Sequence, residues 1–292
     1  MPHYYIQLPH SSEVRDAFWV LRGRVLDRVD VRSTLSRHRL KPDAEAISEL
    51  QRIYPGSIFY ELTLGPGQYF PCMARPSASN EHGPGANPEK SQKVADARAS
   101  TTGQLHALNQ QLEQICRVIQ PKGRNLRSYG HEIRNVLILA STEVEALWKS
   151  TLKANGTGGG NTRDYVKLLT AMKLDQYRVS FPYYPWLPAI KPFGEWDSAC
   201  PTLSLEWYDA YNQVKHDRES NFRKANLLHA FQAVAAHFVM LCAHHGSDFA
   251  LTGDAALRAF HRLVEWPRWS PTEIYVPPFT GKYMPVHYEF VT

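Results

Sequence analysis

A chain of 292 residues that is 43% hydrophobic, 12% aromatic and 21% charged can form one large domain or two modest ones, and it is too apolar to be disordered over most of its length. Its formal charge of +5 is too mild to demand a nucleic-acid partner, though it permits one. Four cysteines, Cys72, Cys116, Cys200 and Cys242, lie far apart with no C-x-x-C pair and read as separate reduced thiols.

The N-terminal stretch MPHYYIQLPHSSEVRD lacks a basic segment followed by an apolar one, so a cytoplasmic protein is expected. Tyr4 to Leu8 reads as extended, and Ser12 as the cap of an amphipathic helix from about Val14 to Arg28. Arg22, Arg24, Arg28, Arg32, Arg37, Arg39 and Lys41 face only Asp27 and Asp30 within residues 21 to 41, an excess equal to the net charge of the whole chain. Such a run can track a phosphate backbone, but a solvated face is the more frequent explanation. Pro42 and Asp43 open a second helix ending near Tyr54, and SIFYELTL and QYFPCMA flank Gly65-Pro66-Gly67 as a β-hairpin. Residues 75 to 90, rich in Pro, Gly, Ser and Asn, read as a loop or linker and set a domain boundary.

Helical patterns follow over Ser91 to Gln120 and over Leu126 to Leu152. In the second, Tyr129, Ile133, Val136, Ala140, Val144, Leu147 and Thr151 recur at three and four residues. Its centre, Val136 to Ala140, is apolar all round, which predicts a helix enclosed by other helices. GTGGGN, residues 156 to 161, ends it, and Asn161 or Thr162 caps a helix through Leu174. Further helices are expected near Leu203 to Lys215, Phe222 to His245 and Asp254 to Val264, before an extended tail. Leu227 to Gly246 carries no formal charge, but His229, Gln232, His237, His244 and His245 favour a helix buried in protein over a membrane span.

The glycine-rich loop lacks the Gly-Lys-Ser/Thr of a P-loop, and His237 and His244 stand about 10 Å apart along a helix, too far to share one metal ion. No G-x-S-x-G, H-E-x-x-H or G-x-G-x-x-G occurs, and neither a metal nor a cofactor is expected. FPYYPWLPAIKPFGEW, residues 181 to 196, reads as a proline-stiffened loop burying Trp186 and Trp196; as a lid it would make the chain a small-ligand sensor. The sharper constellation lies in LEWYDAYNQVKHDRESNF, residues 205 to 222. Asp209, Asn212 and His216 share one helix face, and a helix break at Asp217 or Ser220 would gather Lys215, His216 and Arg218 at a junction. A histidine titrating near neutrality can move protons at a 2′-hydroxyl, while cations neutralise charge growing on a phosphate. The same residues also suit a polar clasp between two helices.

Tyr-Asn-Gln-Val-Lys-His, residues 211 to 216, resembles the R-N-x-x-x-H motif of HEPN domains, with Tyr211 in the arginine position. The resemblance covers about residues 126 to 245, including the long helix with Glu143 and Glu145 and the final long helix after NFRKAN. It implies a helical bundle that dimerises through its motifs, often as a metal-independent ribonuclease of bacterial toxin or phage-defence systems. Other members are inactive interaction or nucleotide-binding domains. By this resemblance His216 is the acid/base, Asn212 its positioning partner and Tyr211 the third motif residue. Tyrosine cannot supply a permanent positive charge, so Lys215, Arg218 or Arg134 are the candidates to bind phosphate.

The expected fold is mostly α: an N-terminal α+β module at 1–80, a HEPN-like helical bundle at 91–265 and an extended C-terminal arm at 266–292. The expected function is an RNA endonuclease acting as a homodimer, with RNA or a nucleotide as ligand and an antitoxin or defence protein as partner. The alternative is a non-catalytic HEPN-like adaptor or nucleotide-binding protein. No membrane association is expected.

Overall fold

The computed structural model describes residues 3–8, 17–29, 34–77, 85–246, 249, 255–279 and 281–290. The chain is α-rich with a small antiparallel sheet, and it divides into two compact units. The first holds Met1–Tyr69, Arg75–Pro88 and Trp269–Val286; the second holds Phe70–Ala74, Glu89–Arg268 and His287–Thr292. The expected C-terminal arm is therefore shared between the two units.

In the first unit, β1 (His3–Leu8), β2 (Ala17–Arg22), β3 (Val25–Val29), β4 (Thr34–Arg39) and β5 (Ile58–Glu61) form an antiparallel sheet in the order β4-β3-β2-β1-β5. Helix α1 (Ala46–Ile53) precedes β5. Side chains alternate across the sheet as the two-residue period requires. Tyr5, Trp19, Leu26 and Phe59 pack with Leu50 of α1, whereas Ile6 packs with Leu62, Ile274 and Val276 on another core cluster. The helix expected over Val14 to Arg28 is instead the β2–β3 hairpin. Its two-residue loop starts at Gly23, whose φ of 62° suits a tight hairpin turn, and its aromatic and β-branched residues favour the pleated surface. Ser12 and Val14 lie outside the described residues. Inside the basic run, Asp27 is buried and accepts from Arg37 Nε at 2.6 Å and from Arg22 Nη1 at 3.3 Å. The hydrogen bond from Arg37 holds the carboxylate below its usual range.

The hairpin expected across Gly65-Pro66-Gly67 does not form. β5 pairs with β1, while β6 (Gln68–Tyr69) pairs in parallel with β9 (Met284–Pro285). Gly67, at φ 81°, donates its N–H to the Val276 carbonyl, which draws the chain after the turn toward residues 276–285.

The second unit is a bundle of α2 (Gln92–Val118), α3 (His131–Ala154), α6 (Glu206–His216) and α8 (Leu227–His245). Ser91 caps α2 through a bond from the Val94 N–H. Helix α3 buries Ile133, Val136, Leu137, Ala140, Val144, Leu147 and Trp148 and ends at Asn155, whose amide binds the Thr151 and Pro71 carbonyls and the Tyr288 N–H. Asn161 caps the short α4 (Thr162–Tyr165), and α5 (Lys167–Met172) follows. Apolar α8 is long enough to cross a membrane, yet 83% of its apolar window is buried inside the protein, as its histidines suggested.

Helix α7 (Arg218–Asn221) precedes the helix expected from Phe222, whose start is a 3-10 turn, Phe222–Lys224, ahead of α8. Similarly, the helix expected over Asp254 to Val264 is α9 (Ala255–Phe260) followed by β8 (Arg262–Glu265); Asp254 itself lies outside the described residues. Leu263 is buried between exposed Arg262 and Val264, an alternation that suits pairing with β7 (Arg178–Ser180). In the aromatic loop Trp196 is buried on Trp148 at 4.9 Å, whereas Trp186 remains 42% exposed and donates to the Pro121 carbonyl.

Burial pushes the His237, His244 and His261 imidazoles down to about 3 each. An unfolded histidine titrates near pH 6.5, so below that pH the unfolded chain binds protons that the folded one refuses. The melting temperature should be flat above about pH 7 and fall steeply between about pH 6.5 and 4, each ring costing on the order of 2 kcal/mol at about pH 5. Calorimetry across this range checks it, and His261→Gln should flatten the descent.

Candidate functional site

Helix α6 carries the motif because its sequence divides it between core and surface. Trp207, Tyr208, Ala210, Tyr211 and Val214 are buried, three to four residues apart along one side, while Lys215 and His216 are exposed in the last turn. The Trp207 Nε1–H donates to the Pro192 carbonyl at 2.9 Å, and the Tyr208 hydroxyl donates to Glu145 of α3. Burial first, then this carboxylate, raises the Tyr208 pKa far above that of an ordinary phenol. Lys149 lies 3.7 Å from Glu145, one helical turn away. Glu145 is thus the polar anchor between α3 and α6; the sequence showed it only as an acidic residue on a long helix.

Tyr211 is 1% exposed and belongs to the core. Its hydroxyl accepts from Lys215 Nζ at 2.9 Å, and the ammonium lies 5.0 Å from the ring centroid. This hydrogen bond raises the Lys215 pKa. Lys215 therefore keeps its charge and, in the last turn of α6, is tethered to the phenol one turn before it.

Asp209, Asn212 and His216 do lie one turn apart, but no hydrogen bond joins them. Asp209 accepts from Gln213 Nε2 at 2.5 Å, and Lys224 Nζ donates to Gln213 Oε1. Asn212 is half-buried and His216 is exposed, each without a hydrogen-bond or ionic partner among the described residues. The break after His216 forms where the sequence placed it: Asp217 Oδ1 accepts the Ser220 N–H and caps α7. Arg218 opens α7; its side chain lies outside the described residues.

Arg134, in the first turn of α3, reaches the segment that follows α7. Its guanidinium stands 5.8 Å from the Phe222 ring centroid and donates Nη2–H to Asn135 at 2.9 Å. Its Nε and Nη1 are shielded from water with no hydrogen-bond partner. The ring of His131 lies 5.1 Å from Phe222, and that of Tyr129 5.7 Å away edge-on. Sequence reading found the Lys215–His216–Arg218 junction and Arg134 but missed this aromatic cluster. Its only signal was the interleaving of Tyr129 and Phe222 with Arg124, Arg127 and Arg223. Among the described residues no three His, Cys, Asp or Glu side chains converge to hold a metal ion.

Comparison with protein-family models, curated proteins and solved structures finds no match for this chain.

The Tyr208–Glu145 bond ties α6 to α3, so Tyr208→Phe should cost about 1.5–3 kcal/mol of stability, the range for a hydrogen bond to a charged group. Denaturant unfolding measures the loss. Glu145→Gln, which keeps an acceptor, should cost less than Glu145→Ala.

Proposed function

We propose that the chain is a HEPN-like, metal-independent RNA endonuclease of a bacterial toxin or phage-defence type, cytoplasmic and acting as a homodimer. The observation that carries this reading is His216: an exposed imidazole at a helix break, spent on no internal hydrogen bond, beside a lysine held charged by Tyr211. His229, by contrast, is committed to the Lys224 carbonyl at 2.6 Å.

In the proposed reaction neutral His216 removes the 2′-hydroxyl proton and the 2′-oxygen attacks the adjacent phosphorus. The P–O5′ bond breaks, and the leaving oxygen takes a proton from the imidazolium of the second subunit's motif. The products are a 2′,3′-cyclic phosphate and a 5′-hydroxyl, with no net change in oxidation state. Lys215, Arg218 and Arg134 neutralise the charge on the phosphoryl oxygens, and Asn212, one turn from His216, orients the ring or donates to the phosphate. An antitoxin or defence protein would be the partner that restrains this activity.

A second reading rests on Tyr211. Because the motif's arginine position is filled by a buried phenol, the chain would be a non-catalytic HEPN-like adaptor or nucleotide-binding protein whose motif surface serves assembly.

His216→Ala should reduce cleavage of single-stranded RNA by at least about 100-fold, the scale of general acid–base catalysis, while the circular-dichroism melt stays within about a degree. Cleavage equal to the parent's discards the assignment. The adaptor reading predicts no cleavage at any protein concentration and a weakened dimer for His216→Ala, measured by sedimentation.

A further inference from the structure

The segment before α3 and the segment after α7, joined by a β-bridge between Tyr129 and Asn226, bring a set of rings and cations together at the surface. Tyr129 is 44% exposed, although a buried position would hide its apolar ring. Phe222 is half-buried against it, with ring planes at 86°, and the Arg223 guanidinium lies 5.9 Å from the Tyr129 centroid. Arg134 lies over Phe222 with its Nε and Nη1 shielded from water, so it supports the ring from within. Lys122, Arg124 and Arg127 are exposed on the stretch that leads to Tyr129, with no carboxylate until Glu132.

We infer that Tyr129, Phe222, Arg134 and Arg223 form a stacking platform for an unpaired base of single-stranded RNA, flanked by cations for its phosphates. The inference rests on the RNA reading of the motif but not on cleavage. An exposed aromatic ring offers its face to any base, and arginine beside it adds cation–π and phosphate contacts. A paired base in an A-form duplex is already stacked on its neighbours and cannot occupy such a ring, so the platform selects single strands. An acidic polypeptide would answer the cations but leave the rings unused.

The platform also adjoins the motif. Phe222 and Lys224 belong to one 3-10 turn, and Lys224 binds Gln213, one turn before His216. A strand anchored by a base at Tyr129 therefore runs past the end of α6, which makes the platform a means of presenting a neighbouring phosphate to His216.

Fluorescence anisotropy with the full chain carrying His216→Ala, and a fluorescein-labelled single-stranded RNA of mixed sequence as the probe, tests this. Adding Tyr129→Ala should weaken binding about tenfold, with Tyr129→Phe close to the parent. Arg223→Ala, at an exposed position, should weaken binding and lower its salt dependence. The inference is overturned if Tyr129→Ala binds as the parent does, or if the duplex of the same sequence or polyglutamate binds as tightly as the single strand. If the chain with His216 intact binds the strand through Tyr129 but never cuts it, nuclease action falls and the platform stands.

Discussion

The arrangement of the bundle depends on how one indole is buried. Trp148, in the C-terminal third of α3, is fully buried and ringed by Tyr165, Phe193, Trp196, Trp207 and Tyr208, with centroid separations from 4.9 to 6.4 Å. These rings come from α4, the aromatic loop and α6, so a single side chain fixes where three separate segments can lie. Aromatic groups of this size dominate a core's energetics and accept only a few mutual orientations. Once Trp207 and Tyr208 are committed to this cluster, the helical period turns Asn212 and His216 away from it. The geometry of the motif is thus a by-product of packing one turn earlier.

The same logic explains the fate of Tyr211. It lies within the buried row that runs from Trp207 to Val214, and its ring contacts Tyr208 at 5.5 Å. A guanidinium at this position would have to be desolvated or would push the row apart, whereas a phenol fills the space and lends its hydroxyl to Lys215. The positive charge of this stretch of α6 then stands on the surface turn, on Lys215.

The bundle was largely legible in the sequence: α3 shows three- and four-residue apolar spacing over a long window, and α8 an unbroken apolar run with polar residues that mark it as buried in protein. α2, α3, α6 and α8 lie within a few residues of where the sequence patterns put them, and the break after His216 was visible in Asp217 and Ser220. The sheet was less legible. Phe18-Trp19-Val20-Leu21 is apolar without interruption, and a run so short fits a buried strand and a helix equally until its partners are known. The parallel pairing of β6 with β9 joins residues more than 200 positions apart, which no local pattern encodes. At the site, sequence spacing gave which residues share a turn of α6. It could not give the Tyr208–Glu145 bond or the meeting of Tyr129 with Phe222, since these join segments distant in the chain.

One feature of the sheet unit shapes how this protein is made. Ile274 and Val276 complete the core cluster that Ile6 begins, and Phe18 stacks near Phe279 at 5.8 Å. Strands β1 to β5 emerge early from the ribosome, but that cluster of the nascent sheet stays uncovered until residues 274–279 have been translated, after the entire bundle. Contacts of such long sequence separation form slowly. A ribosome stalled before codon 270 would therefore hold a chain with its bundle helices translated and an apolar sheet surface open to chaperones or to its own kind.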